Sequence, residues 1–204
     1  MRLLQALGLI AFLAAGAATG AIAGAAQAAS LAGKVLVAHE GMPDPRFEET
    51  VIYLVNHDET GAFGLVVNKP RAAGPIATLL DQLGIDAGEY GDGVQGSVIL
   101  HYGGPVEPER GFVLHSADYD VDGTRQLTRG VALTDSPEVL VDIGLGRGPR
   151  RSLVIFGYSG WGPLQLEGEL ARGDWKVVDA DADLVLGTDH EDKWRRALEG
   201  LMII

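Results

Sequence analysis

Arg151–Leu170 reads RSLVIFGYSGWGPLQLEGEL. Its first part, Arg151–Tyr158, is of strand length and holds the unbroken apolar run Leu153–Phe156, and a strand that does not alternate with polar residues is one covered on both faces. Its second part, Pro163–Arg172, has the spacing of an amphipathic helix and stops at Gly173. A buried central strand that feeds a covering helix sets the architecture, and the flanking sequence has to supply further strands and layers.

Upstream, Ser136–Leu145 reads as a helix: Asp135 or Ser136 can cap it, Pro137 suits its first turn, Glu138 complements the dipole, and Gly144, Gly146 and Gly148 end it. Downstream, Trp175–Val178 is a strand and Glu191–Leu201 a terminal helix. Toward the N-terminus, Lys34–Ala38, Thr50–Val55 and Phe63–Asn68 are β-branched runs, and Asn56–Ala62 joins the last two as a hairpin with Gly61 at its positive-φ position. Ile76–Leu83 is a short helix between Pro75 and Gly84, and Gly88–Gly96 a loop. Ser97–His101 and Gly111–His115 are strands around Gly103-Gly104-Pro105, and Gln126–Leu133 is a weaker extended stretch. Strands that cluster early, with helices interleaved irregularly later, predict an α+β fold: a single compact domain with a mixed, largely antiparallel β-sheet flanked by short helices.

The composition narrows the function. The 204 residues carry 16 Lys and Arg against 28 Asp and Glu, a net charge of −12, which repels a phosphate backbone and disfavours nucleic acid as a partner. There is no cysteine, so thiol nucleophiles, disulfides and Cys-ligated metals are excluded. Glycine is abundant, 29 residues without a collagen period, and implies many turns. Met1–Ala28 has one charge, Arg2, then an apolar run from Leu3 to Leu13 and the small-x-small sequence Ala26-Gln27-Ala28. That pattern predicts a secretory signal over 1–28 followed by one domain over 29–204, and a periplasmic or secreted product. Two other readings stand beside it: an uncleaved membrane anchor, or a start near Leu31 that leaves the protein in the cytoplasm.

Three patterns invite chemistry. Gly144–Gly148 (GLGRG) resembles a phosphate loop, but it closes a helix and feeds a strand, the reverse of what such loops do, so it reads as a helix C-cap. The five histidines show no helical metal-ligand spacing, although His101 and His115 end two strands that can pair and share a pocket. Gly157–Gly162 (GYSGWG) stands where a nucleophile elbow would put Ser159 after a strand and before a helix, with Asp183 and His190 following in hydrolase order. The spacing misses by one, since Trp161 stands where the elbow needs glycine. The sequence calls for no cofactor and no metal.

Gly33–Pro70, Gly103–His115 (GGPVEPERGFVLH), Gly157–Leu170 and Asp192–Leu198 (DKWRRAL) together resemble the YqgE/AlgH family, in the right order and from about Leu31 onward. The resemblance implies a compact α+β domain with a mixed sheet. It also brings a label of transcriptional regulator without an established activity or ligand. The chain departs from the pattern in several places. Ala38-His39-Glu40 replaces A-x-P, and Gly162-Pro163-Leu164-Gln165 replaces G-P-G-Q. Ser159 stands where the family often has Ala, and the leader is atypical of a family whose members are typically cytosolic. Among the matched residues, Asp44, Asn68, Arg110, His115 and Trp161 are candidates to line one binding pocket. Asp44-Pro45 fixes a turn, Asn68 can bond backbone on both sides, and Arg110 can tie to Asp44 and nearby carbonyls or face an anion. The favoured reading is a non-enzymatic binding or interaction protein with an unidentified protein or small-molecule partner. A serine hydrolase using Ser159 is the alternative, and a cytoplasmic transcriptional regulator the second.

Overall fold

The computed structural model describes residues 29–128 and 130–201; the expected signal segment 1–28 lies outside the described residues. Ten strands are described: β1 (Lys34–Ala38), β2 (Val51–Asp58), β3 (Gly61–Val66), β4 (Pro70–Pro75), β5 (Ser97–Tyr102), β6 (Val106–Ser116), β7 (Arg125–Thr128), β8 (Val131–Thr134), β9 (Ser152–Trp161) and β10 (Trp175–Asp179). Five short helices accompany them: α1 (Ile76–Gln82), α2 (Glu138–Gly144), α3 (Gln165–Arg172), α4 (Ala182–Leu186) and α5 (Lys193–Leu201).

All ten strands form one curled sheet, in the order β10-β1-β2-β3-β9-β6-β8-β7, with β5 on β9 and β4 on β5. Strand β9 explains the curl. Along one edge it pairs antiparallel with β6; along the other it pairs first in parallel with β5 (His101↔Ile155) and then antiparallel with β3 (Gly64↔Ser159). The β5 pairing makes the sheet mixed, and the other ladders are antiparallel, as the sequence predicts. Gly157, at φ +74, stands where β9 passes from one neighbour to the other.

Both faces of the sheet are covered, which accounts for the unbroken apolar runs. Along β1 and β2, Val35, Val37, Val51, Tyr53 and Val55 face one core, which includes Leu65, Leu114, Ile155 and the α4 residues Leu184, Val185 and Leu186. The alternate residues Leu36, Ala38, Ile52 and Leu54 face a second core with Trp161, Trp175 and Leu166 of α3. A third cluster packs Ile76, Leu79 and Leu80 of α1 and Val139 and Leu140 of α2 onto Val98, Val113 and Val154.

The β2–β3 hairpin is tighter than the sequence suggests. Its strands run through Asn56–Ala62 and leave Glu59-Thr60 as the turn, with Asp58 Oδ1 accepting the Thr60 amide at 2.8 Å. Gln126–Leu133 resolves into the two strands β7 and β8, and α2 ends as a C-cap, with the Arg147 amide donating to Asp142 O at 2.8 Å. Helix α3 begins after Leu164, which is left-handed at φ 61 and 78% exposed. In that backbone conformation a Cβ is strained, whereas glycine adopts it freely. Leu164→Gly is therefore expected to stabilise the protein by about 0.5–1 kcal/mol, read as a rise in thermal midpoint; an unchanged or lowered midpoint would show that this Leu carries no conformational penalty.

Candidate functional site

At one end of the core enclosed by the curl, three rings meet. Phe63 of β3 lies 4.9 Å from Tyr158 and 5.6 Å from Phe112, centroid to centroid, and Phe112 lies 6.3 Å from Tyr158 at nearly a right angle. These tilted arrangements match the preference of aromatic quadrupoles. Phe112 is buried, whereas Phe63 and Tyr158 keep part of their faces open. Beside them β6 bulges away from β9: Val106 pairs with Tyr158 but the next pair is Gly111 with Phe156, so Glu107–Arg110 loop out opposite Gly157. Glu107 is held at φ 45. Its carboxylate accepts the Tyr158 hydroxyl and one Arg110 nitrogen, each at 3.2 Å, and the Arg110 guanidinium sits 5.1 Å from the centre of the Phe112 ring.

The rings floor an open groove of about 510 Å³ whose polar rim includes Arg110, Arg125 and Asp135. Arg125 begins β7 and stands opposite Leu133 of β8, and Asp135 follows β8 directly. Both are exposed, and among the described residues neither side chain makes a hydrogen bond or ion pair. This separates the groove from a charged concavity of about 370 Å³ beside β10 and α5, where Lys34 pairs with Asp179 and Arg196 with Asp189.

The structure does not gather the five sequence candidates in one pocket. Asp44 caps the 3-10 turn Pro45–Phe47 and pairs with Arg46, whose hydrogen bonds hold its carboxyl below the usual carboxylate range. Arg110 pairs with Glu107 and not with Asp44. Asn68 is buried and ties two loops, accepting the Val51 amide at 2.9 Å and donating to Glu49 O at 2.9 Å. His115 is fully buried between Ser116 O at 3.0 Å and Thr134 Oγ1 at 2.8 Å, and burial lowers its pKa. Trp161 is buried against Trp175, and both indoles donate to Glu169 Oε2, at 2.7 and 2.8 Å. Only Arg110 lines the groove. Phe112 and Tyr158 lie inside the motif stretches that carry the family resemblance. Arg125 and Asp135 come from a weak strand and a turn, and no local pattern marks them.

Ser159 is not on an elbow. It lies within β9, 1% exposed, and its hydroxyl donates to Gly103 O at 3.2 Å. The residues that follow Ser159 in hydrolase order are engaged elsewhere: Asp183 pairs with Arg151 at 2.5 Å, and His190 Nε2 lies 3.4 Å from His101 Nε2. His101 and His115 do not share a pocket, because β9 separates β5 from β6.

The fold and groove define a single-domain α+β protein with a curled mixed sheet and an aromatic-floored surface site. The model of the AlgH-like family matches residues 35–203, and the chain belongs to that family. It is 43% identical over 171 residues to a UPF0301 protein of Methylococcus capsulatus, covering 84% of this chain and 91% of the relative. A UPF0301 protein of Caulobacter vibrioides is 45% identical over 175 residues, covering 85% and 88%. The solution structure of the AlgH protein from Pseudomonas aeruginosa superimposes with a TM-score of 0.70 at 35% identity, over 85% of this chain and 90% of that one. A crystal structure from Corynebacterium diphtheriae, 22% identical with a TM-score of 0.64, shares the fold over 83% and 86% of the two chains. Family membership gives the fold without an activity.

Proposed function

We propose that the protein is a non-catalytic binding protein, exported from the cytoplasm, whose ligand or partner is taken by the groove at the end of the curled sheet. One observation carries the reading: unpaired Arg125 and Asp135 flank an open aromatic floor made by Phe63, Phe112 and Tyr158. Concave, partly apolar sites with a few converging polar groups are where proteins hold small ligands. Titration of isotope-labelled protein with a panel of small amphipathic compounds should move backbone resonances around the groove saturably. Shifts absent for every compound, or scattered over the surface, would sink the reading.

Export is supported by the apolar, singly charged Met1–Ala28 and its Ala26-Gln27-Ala28 end. Cleavage there removes Arg2 alone among the charges and takes the net charge from −12 to −13. Expressed with its natural start in a Gram-negative bacterium, the protein is expected in the periplasmic fraction with Ala29 as its first residue by mass spectrometry. A full-length cytosolic product would overturn this.

A further inference from the structure

We propose that the groove is built for a zwitterionic α-amino acid with an aromatic side chain, an inference that rests on the binding reading above and gives it a ligand class. Charge comes first. The rim carries two guanidinium groups and, counting Glu107 beside it, two carboxylates, so the site as a whole favours neither a cation nor an anion. Half of that charge is satisfied within the protein. Arg110 and Glu107 neutralise each other at 3.2 Å, while Arg110 also covers Phe112, so this pair closes one wall. The other half is open. Arg125 and Asp135 are exposed, opposite in sign and on the rim of one groove, yet they are not within ion-pair distance of each other.

Two opposite charges left apart at one site ask for a ligand that bridges them. An α-carboxylate fits the planar fork of Arg125, which offers paired donors to a carboxylate. An α-ammonium fits Asp135, an acceptor-only group when ionised. Asp135 also lies beside the turn that precedes β7, since a Cβ on Gly123 would lie 3.7 Å from its Oδ1. The third element is the floor. The open parts of Phe63 and Tyr158, together with Phe112, present ring faces and edges to an incoming ring, and aromatic pairs gain from offset or edge-on contact beyond simple burial. An aliphatic amino acid satisfies the charges without using this floor, and an aromatic acid or amine uses the floor but leaves one charge unanswered.

The test uses the full-length labelled protein and three probes: L-phenylalanine, 3-phenylpropionate, which lacks the ammonium, and phenethylamine, which lacks the carboxylate. L-Phenylalanine is expected to shift the amides of Gly123, Arg125 and Asp135 saturably, with each single-charge analogue about tenfold weaker, a factor worth one good charged contact. Arg125→Ala should weaken L-phenylalanine about tenfold and leave phenethylamine unchanged, whereas Asp135→Asn should weaken L-phenylalanine and leave 3-phenylpropionate unchanged. Both positions are exposed, so the variants are expected to fold; Arg125→Lys, which keeps charge but loses the fork, should fall between. Equal affinity for the three probes, or indifference of L-phenylalanine to both substitutions, would overturn the amino-acid assignment and leave the groove standing as a binding site. If L-phenylalanine and the analogues all fail while another compound of the wider panel binds the groove, the assignment falls alone; if nothing binds there, both readings fall together.

Discussion

Gly104→Ala is expected to cost more than about 4 kcal/mol, enough to abolish a cooperative thermal transition in a domain of ordinary stability. Gly103 and Gly104 sit where β9 leaves β5 for β3. The Gly103 amide donates to Phe156 O at 2.8 Å, and Gly103 O accepts the Val66 amide at 3.0 Å and the Ser159 hydroxyl at 3.2 Å. The dipeptide is thus a wedge between β3 and β9. A Cβ on Gly104 would stand 2.2 Å from the Tyr158 carbonyl carbon and 2.4 Å from the Ser159 amide nitrogen, with φ at +148. Those are backbone atoms of the central strand, and nothing flexible can yield. Gly41 is the control: it has φ +82, but a Cβ placed there would meet no atom within 4 Å, so Gly41→Ala should cost only the conformational penalty of about 1 kcal/mol. If the two variants melted together, the wedge would be shown to move at little cost.

This junction marks how far the sequence can be read. The runs VLVA, VIYLV and LVIF announce strands buried on both faces, and the structure places alternate residues of the first two in different cores. Periodicity cannot say which strand is branched. That β9 changes partner midway follows from long-range packing, and its only local trace is Gly157 together with the distant Gly103-Gly104. Strand β4 escapes pattern reading because PRAAGP contains two prolines and an interior glycine and is mostly exposed, with β5 supplying its ladder. Helix α4, five residues capped by Asp181, is too short for a helical period to show.

The candidate site is legible in part. Grouping Asp44, Asn68, His115 and Trp161 into one pocket treats polar or aromatic residues near turns as ligand contacts, whereas each has its hydrogen-bonding needs met by neighbouring chain. Arg110 stands out because a five-donor group beside a glycine-rich turn is conspicuous. Arg125 and Asp135 are informative only through what they lack, a partner, and pairing is a property of the folded chain.

Lys193 carries the other large expectation. Its side chain is fully buried, with Nζ donating to Val67 O at 2.8 Å and Val185 O at 2.9 Å. Burial pushes its ammonium down to about 7, opposed by Asp189 and helped by Arg196. Close by, burial and the neighbouring His190 take His101 down to about 4, and His190 is itself lowered by burial and by Lys193. An unfolded lysine holds its proton up to about pH 10.4, so between about 7 and 10.4 the unfolded chain binds more protons than the native one, and stability must rise with pH across that window. Below about 7 the cost of the buried charge is present in full, up to about 5 kcal/mol by the size of the displacement. His101 adds a second loss as pH falls from about 6.5 to about 4, with the same sign. The acidic surface works against the upper window, because a chain of net charge −12 gains repulsion as its bases deprotonate. Lys193→Met separates the two. Methionine keeps the length of the side chain and the surface charge of the rest, but leaves two carbonyls without their donor, at about 1–3 kcal/mol. Chemical denaturation of both proteins should therefore find the wild type more stable at pH 9.5, with the difference shrinking or reversing by pH 6.5. Parallel stability curves across that range would show that Lys193 keeps its proton in the fold, and would refute the assignment of a near-neutral amine to this position.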